Sequence, residues 1–152
     1  MRILCAIGIR RGLELVKRVG RVVKPDDNLL LVHVVDDGPR HDLNHLEGTL
    51  RPHHLQRVEL NEAEQDAGTD TLQEAREEAE RIGVPFITAL KRGRPEQVIL
   101  ELARESAVDV IALLARERPH GHPLQGPPSI GHTARFILDH APCDVLVFRE
   151  RP

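Results

Sequence analysis

Apolar residues fall along the chain in two alternating kinds of pattern. Ile3 to Ile7 and Leu29 to Val35 are short unbroken runs closed by turn residues, Gly8 in one case and Asp36-Asp37-Gly38 in the other, and they read as buried strands. Between them Leu13, Val16, Val19, Val22 and Val23 recur at helical spacing, with Glu14, Lys17, Arg18 and Arg21 on the opposite face and Pro25 beyond the end. The alternation continues. A helix carries Leu72, Ala75, Ala79 and Ile82 until Gly83 breaks it, a strand covers Val84 to Leu90, a helix runs from about Pro95 to Ser106 with Val98, Ile99 and Leu102 inward, and Val108 to Leu114 is a fourth strand. The last helix, from about Ser129 to His140, presents Ile130, Ala134, Ile137 and Leu138, and Pro142 forces the exit into a strand from Cys143 to Phe148. Strands that alternate strictly with helices predict an α/β fold, an open parallel sheet covered on both faces, because parallel neighbours need a crossover and a helix supplies it. Near-continuous apolar strands agree.

At 152 residues the chain has room for one domain, taken as 1–152. Two segments, 38–60 and 115–128, are longer than the usual connections of such a domain. Helix is expected within the first from Leu55 onward, and Gly68 leaves its continuity open. Lys plus Arg number 21 against 24 Asp plus Glu, a net charge of -3, and aromatics make up 2% of the chain, with no Trp or Tyr. That balance excludes a strongly basic polynucleotide binder and leaves no stacking platform for single strands. No apolar run is long enough to span a membrane, and the amino-terminal run is too short, and too soon followed by Arg10-Arg11, for a signal peptide. A cytoplasmic location is expected. Cys5 and Cys143 each sit inside an apolar run, the setting of buried, unreactive thiols in a reducing compartment.

Ligands of open parallel sheets bind beyond the carboxyl ends of the strands, where strand order reverses. The loops to inspect follow strands one and four. The first, Gly8-Ile9-Arg10-Arg11-Gly12, lacks the spacing of a dinucleotide fingerprint, and no Gly-Lys-Ser/Thr exists for a P-loop. It reads as two glycines turning into a helix. The second runs through Gly121 and Gly126 to Gly131-His132-Thr133 at the mouth of the last helix, where free backbone N–H groups suit a phosphate.

These residues, with others along the chain, resemble the universal stress protein family. The resemblance is carried by Arg2-Ile3-Leu4-Cys5-Ala6-Ile7, Leu31-Val32-His33-Val34-Val35-Asp36, Gly93-Arg94-Pro95 with Ile99, Ala107-Val108-Asp109-Val110-Ile111, and Gly131 leading through Ala134 to His140-Ala141-Pro142-Cys143 and Val145-Leu146-Val147. It implies a Rossmann-like, five-stranded sheet in the order 3-2-1-4-5, in many members a homodimer, and in some members ATP binding. ATP-binding members have an acidic residue at the end of strand one and a G-x2-G-x9-G-[ST] motif before the last helix. The acidic position falls here on Gly8, and the strand-two position beside the base on Val34. Counted back from Gly131, the motif reaches Gly121 as required but puts Arg118 at its first glycine, and His132, with Thr133 adjacent, stands at the Ser/Thr. Counted forward from Asp109, the first two glycines become Leu114 and Glu117, so the register stays open. A bulky residue in place of a glycine that must take positive φ costs about 1–3 kcal/mol. Pro119, Pro123, Pro127 and Pro128 further remove donors from the loop. Arg10, Arg11, Arg116 and Arg118 are available as anion contacts.

Other chemistry finds less support in the residues. Nine histidines include His120-Gly-His122, His53-His54, and His41 with His45, but no spacing completes a ligand set, and no metal is expected. Neither Ser106 nor Ser129 stands in a nucleophile's context, so no catalytic residue is assigned; His132 is the one candidate acid or base, and an enzyme would have to draw a metal-holding carboxylate from Asp36 or Asp37. His33 is expected to be a core histidine with a local hydrogen bond. In the implied strand order Cys5 and Cys143 lie two strand spacings apart, about 9 to 10 Å, and should be free thiols. Strand five, Cys143 to Phe148, becomes an apolar edge that pairing with a second copy would cover. The reading is a non-enzymatic, dimeric stress-response or regulatory module, open to an unidentified protein partner, with a degenerate crevice and weak or absent ATP binding. Its alternative is an ATP-binding sensor that takes ATP, ADP or AMP through Val34, Gly121, Gly131, His132 and Thr133.

Overall fold

The computed structural model describes residues 1–9, 11–36, 53–115 and 129–149. In chain order the elements are β1 (Arg2–Ile7), α1 (Gly12–Val19), β2 (Asn28–Asp36), α2 (His53–Ile82), β3 (Phe86–Gly93), α3 (Pro95–Glu105), β4 (Val110–Leu114), α4 (His132–His140) and β5 (Asp144–Phe148). The five strands form one sheet in the order β3-β2-β1-β4-β5, every pair parallel. This is the order that the resemblance implied.

The unbroken apolar strands follow from a sheet covered on both sides. Side chains alternate between faces along a strand, so a strand buried on both must be apolar at every position. Ile3, Cys5 and Ile7 of β1, with Leu29 and Leu31 of β2, pack against Leu15, Val16 and Val19 of α1 and Leu72, Ala75 and Ala79 of α2. Their neighbours Leu4, Leu30 and Val32 point the other way, onto Ile99, Leu100 and Ala103 of α3 and Ala134 and Ile137 of α4. Cys5 belongs to the first core and Cys143 packs against the second, so the two thiols are free and lie on opposite faces. Burial pushes the Cys5 thiol up to about 12.

Boundaries differ from the periodic reading where backbone geometry overrides the pattern. α1 stops at Val19, because Arg21 and Val22 bond back to Arg18 and Val19 in a tightened last turn, and Val22 is left 50% exposed. α4 begins at His132 rather than near Ser129, since Gly131 takes φ 94 and ψ 163, which no helix tolerates; Leu138, expected inward, is 46% exposed. α2 is one continuous helix of 30 residues that passes through Gly68. A Cβ at that glycine would lie 2.4 Å from Cδ2 of His33, so its absence makes room for a ring on the neighbouring strand. No helix among the described residues is long and apolar enough to cross a membrane.

Candidate functional site

The chain leaves β1 for α1 on one face of the sheet and leaves β4 towards α4 on the other. The two neighbouring strands therefore part company at their carboxyl ends, which opens a crevice there. It is a cleft of about 690 Å³, within the usual range for small-molecule sites. Gly8 ends one side of its floor and Leu114 and Ala115 the other, Val34 and Asp36 come from the end of β2, and Gly131, His132 and Thr133 form its rim.

The turn after β1 is held by buried contacts. Thr71 of α2 donates its hydroxyl to the Gly8 carbonyl (3.2 Å) and accepts from the Gly12 N–H (3.2 Å). A Cβ at Gly12 would stand 2.5 Å from the Thr71 carbonyl oxygen, so this second glycine lets α1 meet the backbone of α2. Gly8 differs. A Cβ there meets nothing within 4 Å, and its φ lies outside the left-handed region. The site thus has room for an acidic side chain at the end of β1 but does not carry one.

Arg11 ties the turn to the other side of the crevice. Its Nη1 donates to the Ala115 carbonyl (2.8 Å), and its Nη2 pairs with Glu14 at 3.3 Å. Of the four arginines proposed as anion contacts, Arg11 alone is among the described residues, and these bonds hold its guanidinium at the β1–β4 junction.

At the rim, Gly131 is the non-helical residue before α4, and its N–H donates to Ser129 Oγ (3.2 Å). The first intrahelical bond is Arg135 N–H to the Gly131 carbonyl, so the N–H groups of His132, Thr133 and Ala134 have no bonded partner among the described residues. They open on the cleft with the positive end of the helix dipole. His132 is exposed, and its Nε2 lies 3.7 Å from Oε1 of Glu96, a carboxylate buried in the first turn of α3.

His33 is buried, as expected of a core histidine. Its Nδ1 lies 2.8 Å from the Ile7 carbonyl. A carbonyl only accepts, so Nδ1 carries the proton and donates; Nε2 has no partner among the described residues.

Five of the residues singled out in the sequence, Gly8, Val34, Gly131, His132 and Thr133, come together on this one cleft. Arg118 and Gly121 lie outside the described residues, as do Arg10, Arg116, Asp37 and the His120-Gly-His122 pair. Asp36 lines the cleft, but no group of three or more His, Cys, Asp or Glu among the described residues is placed to hold a metal ion. Sequence reasoning missed Thr71, Glu96 and the bridging role of Arg11. Glu96 could be located as a first-turn residue from Gly93-Arg94-Pro95, but nothing along the chain pairs it with His132.

The model of the Universal stress protein family matches residues 1–149. Among solved structures, the chain is similar to universal stress protein UspA from Lactobacillus plantarum, with a TM-score of 0.70 and 24% identity over 98% of this chain and 97% of that one. It is similar to a universal stress protein family protein from Arabidopsis thaliana with AMP bound (TM-score 0.62, 17% identity, 99% of this chain and 92% of that one). A third is the universal stress protein from Archaeoglobus fulgidus in complex with dAMP (TM-score 0.65, 16% identity, 97% and 96%). At these identities the likeness is one of fold. A comparison with curated proteins gives no match.

Proposed function

The chain belongs to the universal stress protein family, and from that premise we propose that it is a cytoplasmic, non-enzymatic regulatory module. Its cleft receives the nucleoside end of an adenine nucleotide and holds a polyphosphate weakly or not at all. The observation that carries this reading is Gly8. The end of β1 has space for a carboxylate and supplies none, so a ribose or a bound cation loses its acidic partner there. The donors at the start of α4 remain, and they suit a single phosphate. Two relatives of the same fold are described with AMP and with dAMP, ligands of that size.

Thermal unfolding with ATP, ADP and AMP, with and without Mg²⁺, tests the reading. A ligand at 100 times its Kd adds about 2.7 kcal/mol and raises the melting temperature of a domain this size by roughly 5 to 10 °C. The expected result is a shift only at high nucleotide concentration, no larger for ATP than for AMP. A shift of that full size at micromolar ATP overturns it, and steady release of ADP overturns the non-enzymatic part.

The same module is proposed to be a homodimer through β5. That strand pairs with β4 alone within the sheet, and Val145, Leu146, Val147 and Phe148 remain only half-buried. A second copy paired along this edge would cover them. Sedimentation at low micromolar concentration should give a dimer, and a strictly monomeric species there refutes the pairing.

A further inference from the structure

We propose that the Glu96–His132 pair makes phosphate binding in this cleft proton-linked: a single-phosphate nucleotide is held while the His132 ring is protonated and released as the ring loses its proton. This rests on the nucleotide reading above, and it concerns two side chains that meet only through the packing of α3 on α4.

Glu96 is 7% exposed, and among the described residues the charged partner it meets is the His132 ring, 3.7 Å away. That separation suits an ion pair and is too long for a good hydrogen bond. His132 is also the first residue of α4, beside the unfilled N–H groups of Thr133 and Ala134. A phosphate seated on those N–H groups meets the same imidazole, which then stands between two anions. With the ring protonated the charges alternate, and both anions are satisfied. With the ring neutral, the phosphate loses the positive neighbour that stood between it and the Glu96 carboxylate, and its binding weakens.

Other charged groups face the cleft from each element around it. Arg11 comes from the start of α1 and is bonded to Glu14 and the Ala115 carbonyl, Asp36 from the end of β2, and Glu64 from α2. On α4 itself, Arg135 reaches Ser129, and Phe136 lies between His132 and His140. Histidine is the side chain whose ordinary titration falls between pH 5 and 8. The other histidine lining the cleft, His33, is tied to the Ile7 carbonyl in the opposite core.

Calorimetric titration of the whole chain with cAMP tests this, because a cyclic phosphodiester has no second ionisation of its own to confuse the profile. Adenosine is the phosphate-free control. The dissociation constant for cAMP should weaken by about tenfold between pH 6 and pH 8, with net proton uptake on binding, while that for adenosine stays constant. His132→Ser should flatten the cAMP profile at the weaker affinity. Glu96→Gln, which removes a like charge but keeps the ring, should tighten cAMP binding at pH 8 while a pH dependence remains, and a melting curve confirms that this buried substitution leaves the fold intact. Equal cAMP affinity at both pH values, or a wild-type slope retained in His132→Ser, overturns the linkage while adenosine binding leaves the nucleotide reading standing. If neither ligand binds at either pH, the nucleotide reading fails and the linkage with it.

Discussion

Gly68 is the position at which one added methyl group should report on the packing beneath the cleft. A Cβ there would lie 2.4 Å from His33 Cδ2 and 2.8 Å from His33 Nε2, against the 3.4 Å at which ordinary contact begins. The ring would have to retreat by about 1 Å. It is not free to do so, because its Nδ1–H is bonded to the Ile7 carbonyl at 2.8 Å, at the end of the strand that floors the cleft. Overpacking of this kind costs about 1–3 kcal/mol, and a strained hydrogen bond adds about 1 kcal/mol. Replacing Gly by Ala inside a helix returns about 1 kcal/mol. The Gly68→Ala variant should therefore be less stable by about 1–3 kcal/mol. Once His33 is replaced by Ala the obstruction is gone, and Gly68→Ala should then stabilise by about 1 kcal/mol. Urea unfolding of the wild type, both single variants and the double variant measures the coupling, expected at about 2–4 kcal/mol. If Gly68→Ala changes stability equally with and without His33, to within about 0.5 kcal/mol, the ring is not what keeps this position a glycine.

Three further predictions come from other parts of the molecule. Gly8→Asp should fold as the wild type does and tighten adenosine binding by roughly tenfold, the worth of a charged hydrogen bond to the ribose, read by calorimetry; unchanged affinity would mean that the end of β1 does not meet the sugar. Ala107 has φ 47, and the Ala107 and Val108 N–H groups bond to the Arg104 and Ala103 carbonyls in a Schellman end to α3, where glycine is usual. Ala107→Gly should gain about 0.5 to 1 kcal/mol, seen as a higher denaturation midpoint. Cys5 titrates at about 12 in the fold against 9.0 ordinarily, so the unfolded chain releases its proton first and stability falls as pH rises from 9 towards 12. Cys5→Ala should be less sensitive to pH across that window, and an identical slope in the two proteins would refute the assignment.

The architecture was legible because a parallel sheet covered on both faces imposes a one-dimensional signature. Runs such as Leu29 to Val35 must be apolar throughout, and the helices between them must be amphipathic. Gly8, Val34 and Gly131-His132-Thr133 were legible as residues at strand ends and at a helix mouth, because the topology sends all such positions to one crevice. The ends of elements were less so. Val22 continues the period of α1 and Ser129 precedes that of α4, but the helices stop where the backbone turns, and periodicity carries no information about φ at Gly131. Gly68 reads as a helix breaker until the His33 ring that occupies its missing Cβ is known.

What the sequence determined by itself is the class of fold and the end of the sheet at which the cleft opens, since both follow from patterns repeated along the chain. What only the tertiary structure decided are the pairings across distance: Thr71 with Gly8 and Gly12, Arg11 with Ala115, and Glu96 with His132. Residues 59 or 104 positions apart, Gly12 with Thr71 and Arg11 with Ala115, come within hydrogen-bonding reach because helices dock on the sheet at angles set by many side chains together. No local pattern of hydrophobic and polar residues encodes that docking.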